Sequence, residues 1–279
     1  MKIKTLITCL IFLIFESSQA MAAASILTFD KSEITNDGMP RNFRDLSVIG
    51  INAIASAQFS EDELQNLRKK YPAEKIIIVD LRQESHGFIN GKSVLWRSYF
   101  EKINQDKNIS GILSDENSRL KKAEKEREIV INEVTERDRA NGWYKTISPK
   151  IITVNKAVSE KDLAAENGFE YQRFSIRDFD KPDEKEFLRM VNFIKNLPQD
   201  KKIYVHCAGG KGRTGLFLVT LDIIKNGKTT ELEEIFKRQH KLGSARLDEI
   251  SEEEAWSKEL AQERLKMLEN FYKVESQSR

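Results

Sequence analysis

Residues 205–215 read VHCAGGKGRTG, and the side chains in that stretch could hold a phosphate ester and break it. Arg213 follows Cys207 after five residues, Thr214 comes next, and glycines stand at 209, 210 and 212. A Walker-type nucleotide loop is excluded. It needs a glycine five residues before its Gly-Lys pair and a Ser or Thr directly after, where this chain has Val205 and Gly212. The spacing fits an anion cradle instead, because the loop leaves the apolar run KKIYVHC and enters TGLFLVTLDIIKNGK, joining a strand to a helix N-terminus. The amides of Ala208, Gly209, Gly210, Lys211 and Gly212 are expected to turn inward around phosphate oxygens, with the helix dipole adding positive potential. The three glycines permit the backbone angles of such a turn. The same potential favours a thiolate on Cys207, the candidate nucleophile. Arg213 offers a planar fork to two phosphoryl oxygens, and Thr214 can donate its hydroxyl to the sulfur when the sulfur leaves. His206 is expected to order the loop through hydrogen bonds. The three histidines, 86, 206 and 240, are scattered in sequence, so neither a metal nor a cofactor is expected.

A leaving alkoxide must be protonated, which calls for an acid on a loop after a neighbouring strand. SIRDFDKPDE follows the strand-like YQRFSI and precedes a helical stretch. Asp178 is the candidate acid, Asp180 the alternative, and Asp183 a helix cap.

The elements that must position these groups follow from periodicity. KIIIVDL (75–81) and KKIYVHC (201–207) read as buried strands, with IITV (151–154) and YQRFSI (171–176) as weaker candidates. Capping pairs Ser60–Glu63, Ser159–Asp162 and Thr230–Glu233 mark helix starts. Phe187, Met190, Val191, Ile194 and Leu197 form an apolar helical stripe, and a long amphipathic helix closes the chain, packing Trp256, Leu260, Leu265 and Leu268. Alternating strands and helices predict an α/β fold with a central, mainly parallel sheet flanked by helices. Residues 88–155 break that rhythm and read as a small β-rich insertion, its charge run RLKKAEKERE a solvated helix face. The main domain then comprises residues 23–87 and 156–279.

Composition narrows the partners. A net charge of +2 gives no general pull toward nucleic acid or an anionic membrane, so a small polyanion must be held by a local basic patch. Lys2 and Lys4, the apolar run TLITCLIFLIF and the small residues of SSQAMA read as a signal peptide over 1–22, cleaved at Ala20-Met21-Ala22. The run is too short for stable membrane insertion, and an exported product, periplasmic or secreted, is expected. Cys207 is then the sole cysteine, which excludes a disulfide framework.

HCAGGKGRTG, together with PRNFR, VDLRQESHGFINGK, IRDFDKP, NLPQD and RQHKLG, resembles the bacterial protein-tyrosine-phosphatase-like inositol phosphatases, the cysteine phytases. The resemblance runs from about residue 38 to the C-terminus, and VDLRQESHG is its more discriminating phrase. It implies a cysteine-phosphatase fold carrying a partial β-barrel where composition places the insertion. It also implies Cys207 as nucleophile, Arg213 as phosphate binder, Asp178 as general acid, and Arg41 and Arg44 lining the substrate pocket. The implied activity is metal-free hydrolysis of inositol polyphosphates through a phosphocysteine. A protein-tyrosine, dual-specificity or phosphoinositide phosphatase, exported as an effector, is the alternative. One departure bears on the substrate: the family's lysines after RQH are replaced here by the acidic SARLDEISEEEAWSKE. Lys211, Arg177, Lys181 and Lys156 are the candidate replacements.

Overall fold

A computed structural model of the chain describes residues 25–30, 37–138, 140–250 and 255–277. The leader read at 1–22 lies outside the described residues, and no described helix is long and apolar enough to cross a membrane. The strands are β1 (Ser25–Phe29), β2 (Arg44–Asp45), β3 (Ala53–Ser56), β4 (Lys75–Asp80), β5 (His86–Ile89), β6 (Lys92–Ser98) and β7 (Glu128–Val134). They continue as β8 (Arg137–Asp138), β9 (Trp143–Tyr144), β10 (Ile147–Thr153), β11 (Ala157–Val158), β12 (Glu170–Arg173) and β13 (Lys201–His206). The helices are α1 (Glu61–Lys70), α2 (Ile109–Glu126), α3 (Glu160–Glu166), α4 (Glu184–Lys195), α5 (Gly212–Asn226), α6 (Leu232–Lys241) and α7 (Ala255–Gln277).

The apolar runs of β4 and β13 form the middle of a five-stranded sheet in the order β12-β4-β13-β3-β2. The first four strands are parallel, and β2 runs against β3. Period-2 alternation sends Ile77, Val79, Ile203 and Val205 to one face, where they meet Met190, Ile194, Phe217 and Leu268 of α4, α5 and α7. Ile76, Ile78 and Tyr204 face the other side and pack on Leu64, Leu67 and Leu163 of α1 and α3. Burial on both faces is why these strands read as continuous apolar runs. The expected α/β architecture is therefore present, and the Asp178 loop lies between β12 and α4, next to the Cys207 loop between β13 and α5.

The second sheet has six strands in the order β10-β7-β1-β6-β5-β11, an open sheet rather than a closed barrel. It takes β1 from before the predicted insertion and β11 from after it. Helix α2 covers it with Leu120 and Ala123, while Lys121, Lys122, Glu124 and Lys125 of the charge run are exposed, a solvated face. A short hairpin pairs β8 with β9 and sets Arg137 opposite Tyr144.

The helix starts follow their caps with one exception. Ser60 and Glu63 make a reciprocal capping box, and Ser159 accepts from the Asp162 amide. Thr230 does not cap α6, whose N-cap is Glu231. Its amide donates to the Asn226 carbonyl at 2.9 Å, closing the end of α5 instead.

Candidate active site

The Cys207 loop is shaped from outside. The carbonyl of Ala208 accepts from the Gln58 amide at 3.2 Å, and that of Lys211 from the amides of Gly215 and Ala245 at 3.0 and 3.1 Å. The Gly210 carbonyl accepts from Asn42 Nδ2 at 3.0 Å and from Arg44 Nη2 at 2.9 Å. In a trans peptide the N–H points away from the C=O, so the amides of Gly209, Lys211 and Gly212 are directed to the side opposite these anchors. Of the three glycines expected to need special backbone angles, Gly210 alone lies in the left-handed region, at φ 67°. A Cβ there would stand 2.3 Å from the carbonyl carbon of Ser56; Gly209 and Gly212 have open space.

Cys207 and Arg213 are each only 2% exposed. Arg213 donates from both terminal nitrogens to Glu84, at 2.6 and 2.9 Å, and from Nη1 to the Ile176 carbonyl at 3.1 Å. Burial pulls its pKa down, but Asp178 and Glu84 more than restore it, so the guanidinium stays charged. Glu84 is in turn held well below the usual carboxylate range, Arg213 and Arg82 outweighing its burial. Arg82 is itself fully buried and bridges Glu84 and Asp30, both at 2.9 Å. Thr214 is fully buried, and its hydroxyl has no hydrogen-bond partner among the described residues.

Of the two candidate acids, Asp178 faces Arg213, with Oδ1 3.2 Å from Nε. Asp180 turns to Arg177, 3.5 Å away, and accepts from the Lys181 amide. Asp183 caps α4 through the Glu186 amide at 2.8 Å.

His206 departs from expectation. It is fully buried and its Nε2 meets Glu160 of α3 at 2.7 Å, pointing at the helix beneath the strand rather than at the loop. Two of the histidines, His86 and His206, converge on Glu160. His86 Nε2 lies 3.3 Å from both Asp80 and Glu160, and Asp80, Glu160 and His206 bring ligand atoms within 4.8 Å of one another. Arg173 also stands in this cluster, 3.1 Å from Asp80. Burial and Arg82 lower the pKa of His86, but Asp80 and Glu116 carry it up to about 9, so His86 and Arg173 face Asp80, Glu160 and a third buried carboxylate, Glu116, as cations.

A cavity of about 560 Å³ opens over the loop, lined by Ala208, Gly209, Asp178, Arg41, Arg97, Arg137 and Tyr144 among others. Arg41 lines this cavity. Arg44 does not: it is 7% exposed, braces the Gly210 carbonyl from behind, and burial lowers its pKa to about 10, Cys207 opposing the shift. The four replacement cations do not line the cavity either. Lys211 is exposed, Arg177 donates to the Phe100 carbonyl, Lys181 pairs with Glu263, and Lys156 with Glu166. The cations that line it beside Arg41, namely Arg97 and Arg137, come from the six-stranded sheet and the hairpin. Both reach Glu101 Oε1, at 3.6 and 3.5 Å. The cavity's carboxylates Asp30 and Glu133 are engaged by Arg82 and Lys150. A larger, mostly apolar groove of about 780 Å³ between α4 and α7 holds neither cysteine nor arginine.

Known proteins share this fold. A PTP-like myo-inositol phosphatase from Mitsuokella multacida, solved with myo-inositol-(1,3,4,5)-tetrakisphosphate, is 29% identical with a TM-score of 0.79 over 90% of this chain and 45% of that one. A PTP-like phytase from Bdellovibrio bacteriovorus is 27% identical with a TM-score of 0.71, covering 91% of this chain and 90% of that one. The effector protein hopD2 of Pseudomonas syringae pv. tomato is 23% identical over 230 residues, 82% of this chain and 48% of the effector. The chain thus spans about half the length of the Mitsuokella protein and of the effector. The family model of the PTP-like phytases, described by the words inositol hexakisphosphate, matches residues 79–225, from the end of β4 through the Cys207 loop into α5. With more than half of its length matched, the chain belongs to the PTP-like phytase family.

Proposed function

We propose that this protein is an exported cysteine phosphatase, working without metal, that removes phosphate from inositol polyphosphates. The cavity carries the reading. It adds Arg41, Arg97 and Arg137 around the Cys207 loop, where a single phosphate would be held by the loop itself. Together they set three guanidinium groups beside the loop, a concentration of positive charge suited to an ester carrying several phosphates. In this reading residues 88–155, whose sheet is completed by β1, β5 and β11, are a substrate-reading addition to a phosphatase core drawn from 23–87 and 156–279, and 1–22 direct export.

Loop amides and Arg213 hold the phosphate, with Glu84 fixing the guanidinium plane. The Cys207 sulfur attacks phosphorus in line. An S–P bond forms as the P–O bond to the inositol oxygen breaks, and Asp178 gives that oxygen its proton. Asp178, now a carboxylate, takes a proton from a water that attacks phosphorus and displaces the sulfur, assisted by the Thr214 hydroxyl. Positioning and charge stabilisation supply most of the acceleration. The Asp80–Glu160–His206 cluster is read as part of a buried ion-pair network with His86, Arg173 and Glu116 rather than as a metal centre.

Comparing kcat/KM for inositol hexakisphosphate and for a phosphotyrosine peptide tests the reading. A higher value for the inositol ester is expected. Preference for the peptide would replace the reading with a protein-phosphatase one.

A further inference from the structure

The Asp178 loop owes its shape to contacts from a helix that does no chemistry. Directly after Asp178, Phe179 adopts φ 69°, a left-handed conformation that costs a bulky residue about 1–2 kcal/mol unless its surroundings hold it. The holding groups come mostly from α7. Arg264 Nη1 donates to the Phe179 carbonyl at 2.9 Å. The Trp256 ring takes Phe179 edge-on at a centroid distance of 5.2 Å and Phe100 at 5.6 Å. One residue before Arg264, Glu263 pairs with Lys181 at 3.1 Å. Burial lowers the Arg264 pKa, with Asp178 and Asp180 opposing the shift, which puts both loop carboxylates within its field. The reversed backbone at Phe179 accompanies an Asp178 carboxylate turned toward Arg213.

We infer that Arg264, backed by Trp256, is a positioning residue for the proton donor. By gripping the Phe179 carbonyl it keeps the loop folded over the Cys207 ring. The inference rests on the reading of Asp178 as general acid. Its consequence depends on the leaving group. An inositol alkoxide needs the proton, whereas 4-nitrophenolate is stable without it. Loss of the grip should therefore penalise the alkyl ester far more than the aryl ester.

The experiment measures kcat/KM, which reports phosphocysteine formation and not the later hydrolysis common to both esters, on an inositol phosphate and on 4-nitrophenyl phosphate for Arg264→Ala, Arg264→Lys, Trp256→Leu and Asp178→Asn, with inhibition by inorganic phosphate as a measure of the ring. Arg264→Ala is expected to lower the alkyl-to-aryl rate ratio by at least about tenfold and to blunt the alkaline limb of the pH profile. Arg264→Lys, which can still donate to the carbonyl, should recover most of that ratio, and Trp256→Leu should reproduce the loss. An equal fall on both esters, or none, would overturn the inference when Asp178→Asn does lower the ratio. Should Asp178→Asn leave the ratio as it is, the acid assignment itself fails and the inference falls with it. If Arg264→Ala does not fold, the lysine and Trp256 variants decide by the same ratio.

Discussion

Gly210 occupies a position that no side chain fits. Its φ is 67°, and a methyl group would land 2.3 Å from the Ser56 carbonyl carbon, which is backbone and has no rotamer to yield. Gly210→Ala is expected to cost about 2 kcal/mol or more in a denaturant melt and to weaken phosphate inhibition, because the ring must open to admit the methyl. The same change at Gly209, where space is open, should cost well under half as much. Cys207→Ser is expected to abolish turnover and retain phosphate binding. Asp178→Asn should cost on the order of 10²–10⁴ in kcat on inositol phosphates, whereas Asp180→Asn, whose carboxylate faces Arg177, should stay within a few-fold. The ring could be read from the sequence because its chemistry sits in eleven consecutive residues. Glu84 could not. It acts by meeting Arg213, 129 positions away, and within VDLRQESHG nothing separates it from an ordinary charged residue. Arg41 and Arg44 have the same charge and neighbouring places in the chain, yet one lines the cavity and the other braces the loop from behind.

Elements were predicted best where burial is two-sided. β4 and β13 announce themselves because both faces are covered and their central residues, Ile76 to Val79 and Ile203 to Val205, are apolar. The α4 stripe is as clear, with Met190 and Ile194 in the main cluster and Phe187 and Leu197 packed against it. Thr230 misled because a capping pair lies there in sequence, while its amide was already committed to the preceding turn. The hairpin β8–β9 was out of reach of periodicity: two-residue strands carry no period, although one of them delivers Arg137 to the cavity. Helix α7 depends on its apolar face. Leu268 is fully buried in the main cluster, so Leu268→Ala should destabilise the protein by about 2–5 kcal/mol in equilibrium unfolding.

At the scale of the molecule, His86 joins the two sheets. It stands on β5 of the six-stranded sheet and faces Asp80 on β4 of the parallel one, with Glu160 of α3 beside them. In the folded chain its pKa is raised from 6.5 to about 9. A group raised on folding contributes fully below its unfolded pKa and loses that contribution as pH climbs through the folded value. The junction should therefore be strongest below about pH 6.5 and weaken toward pH 9, a difference of roughly 3 kcal/mol. Melting temperatures of the natural protein and of His86→Gln, taken across that range, should converge as pH rises. Salt acts elsewhere. The arginine-lined cavity should make KM for inositol hexakisphosphate rise with ionic strength more steeply than KM for 4-nitrophenyl phosphate.

The cavity also divides labour between separate stretches of chain. The groups proposed to break the bond sit on the β13–α5 turn, while Arg97 and Arg137 hang from a different sheet and from a two-stranded hairpin. Descendants of this protein could thus acquire a new diet by rewriting a few dozen residues of that far wall, leaving the machinery that cuts the ester untouched.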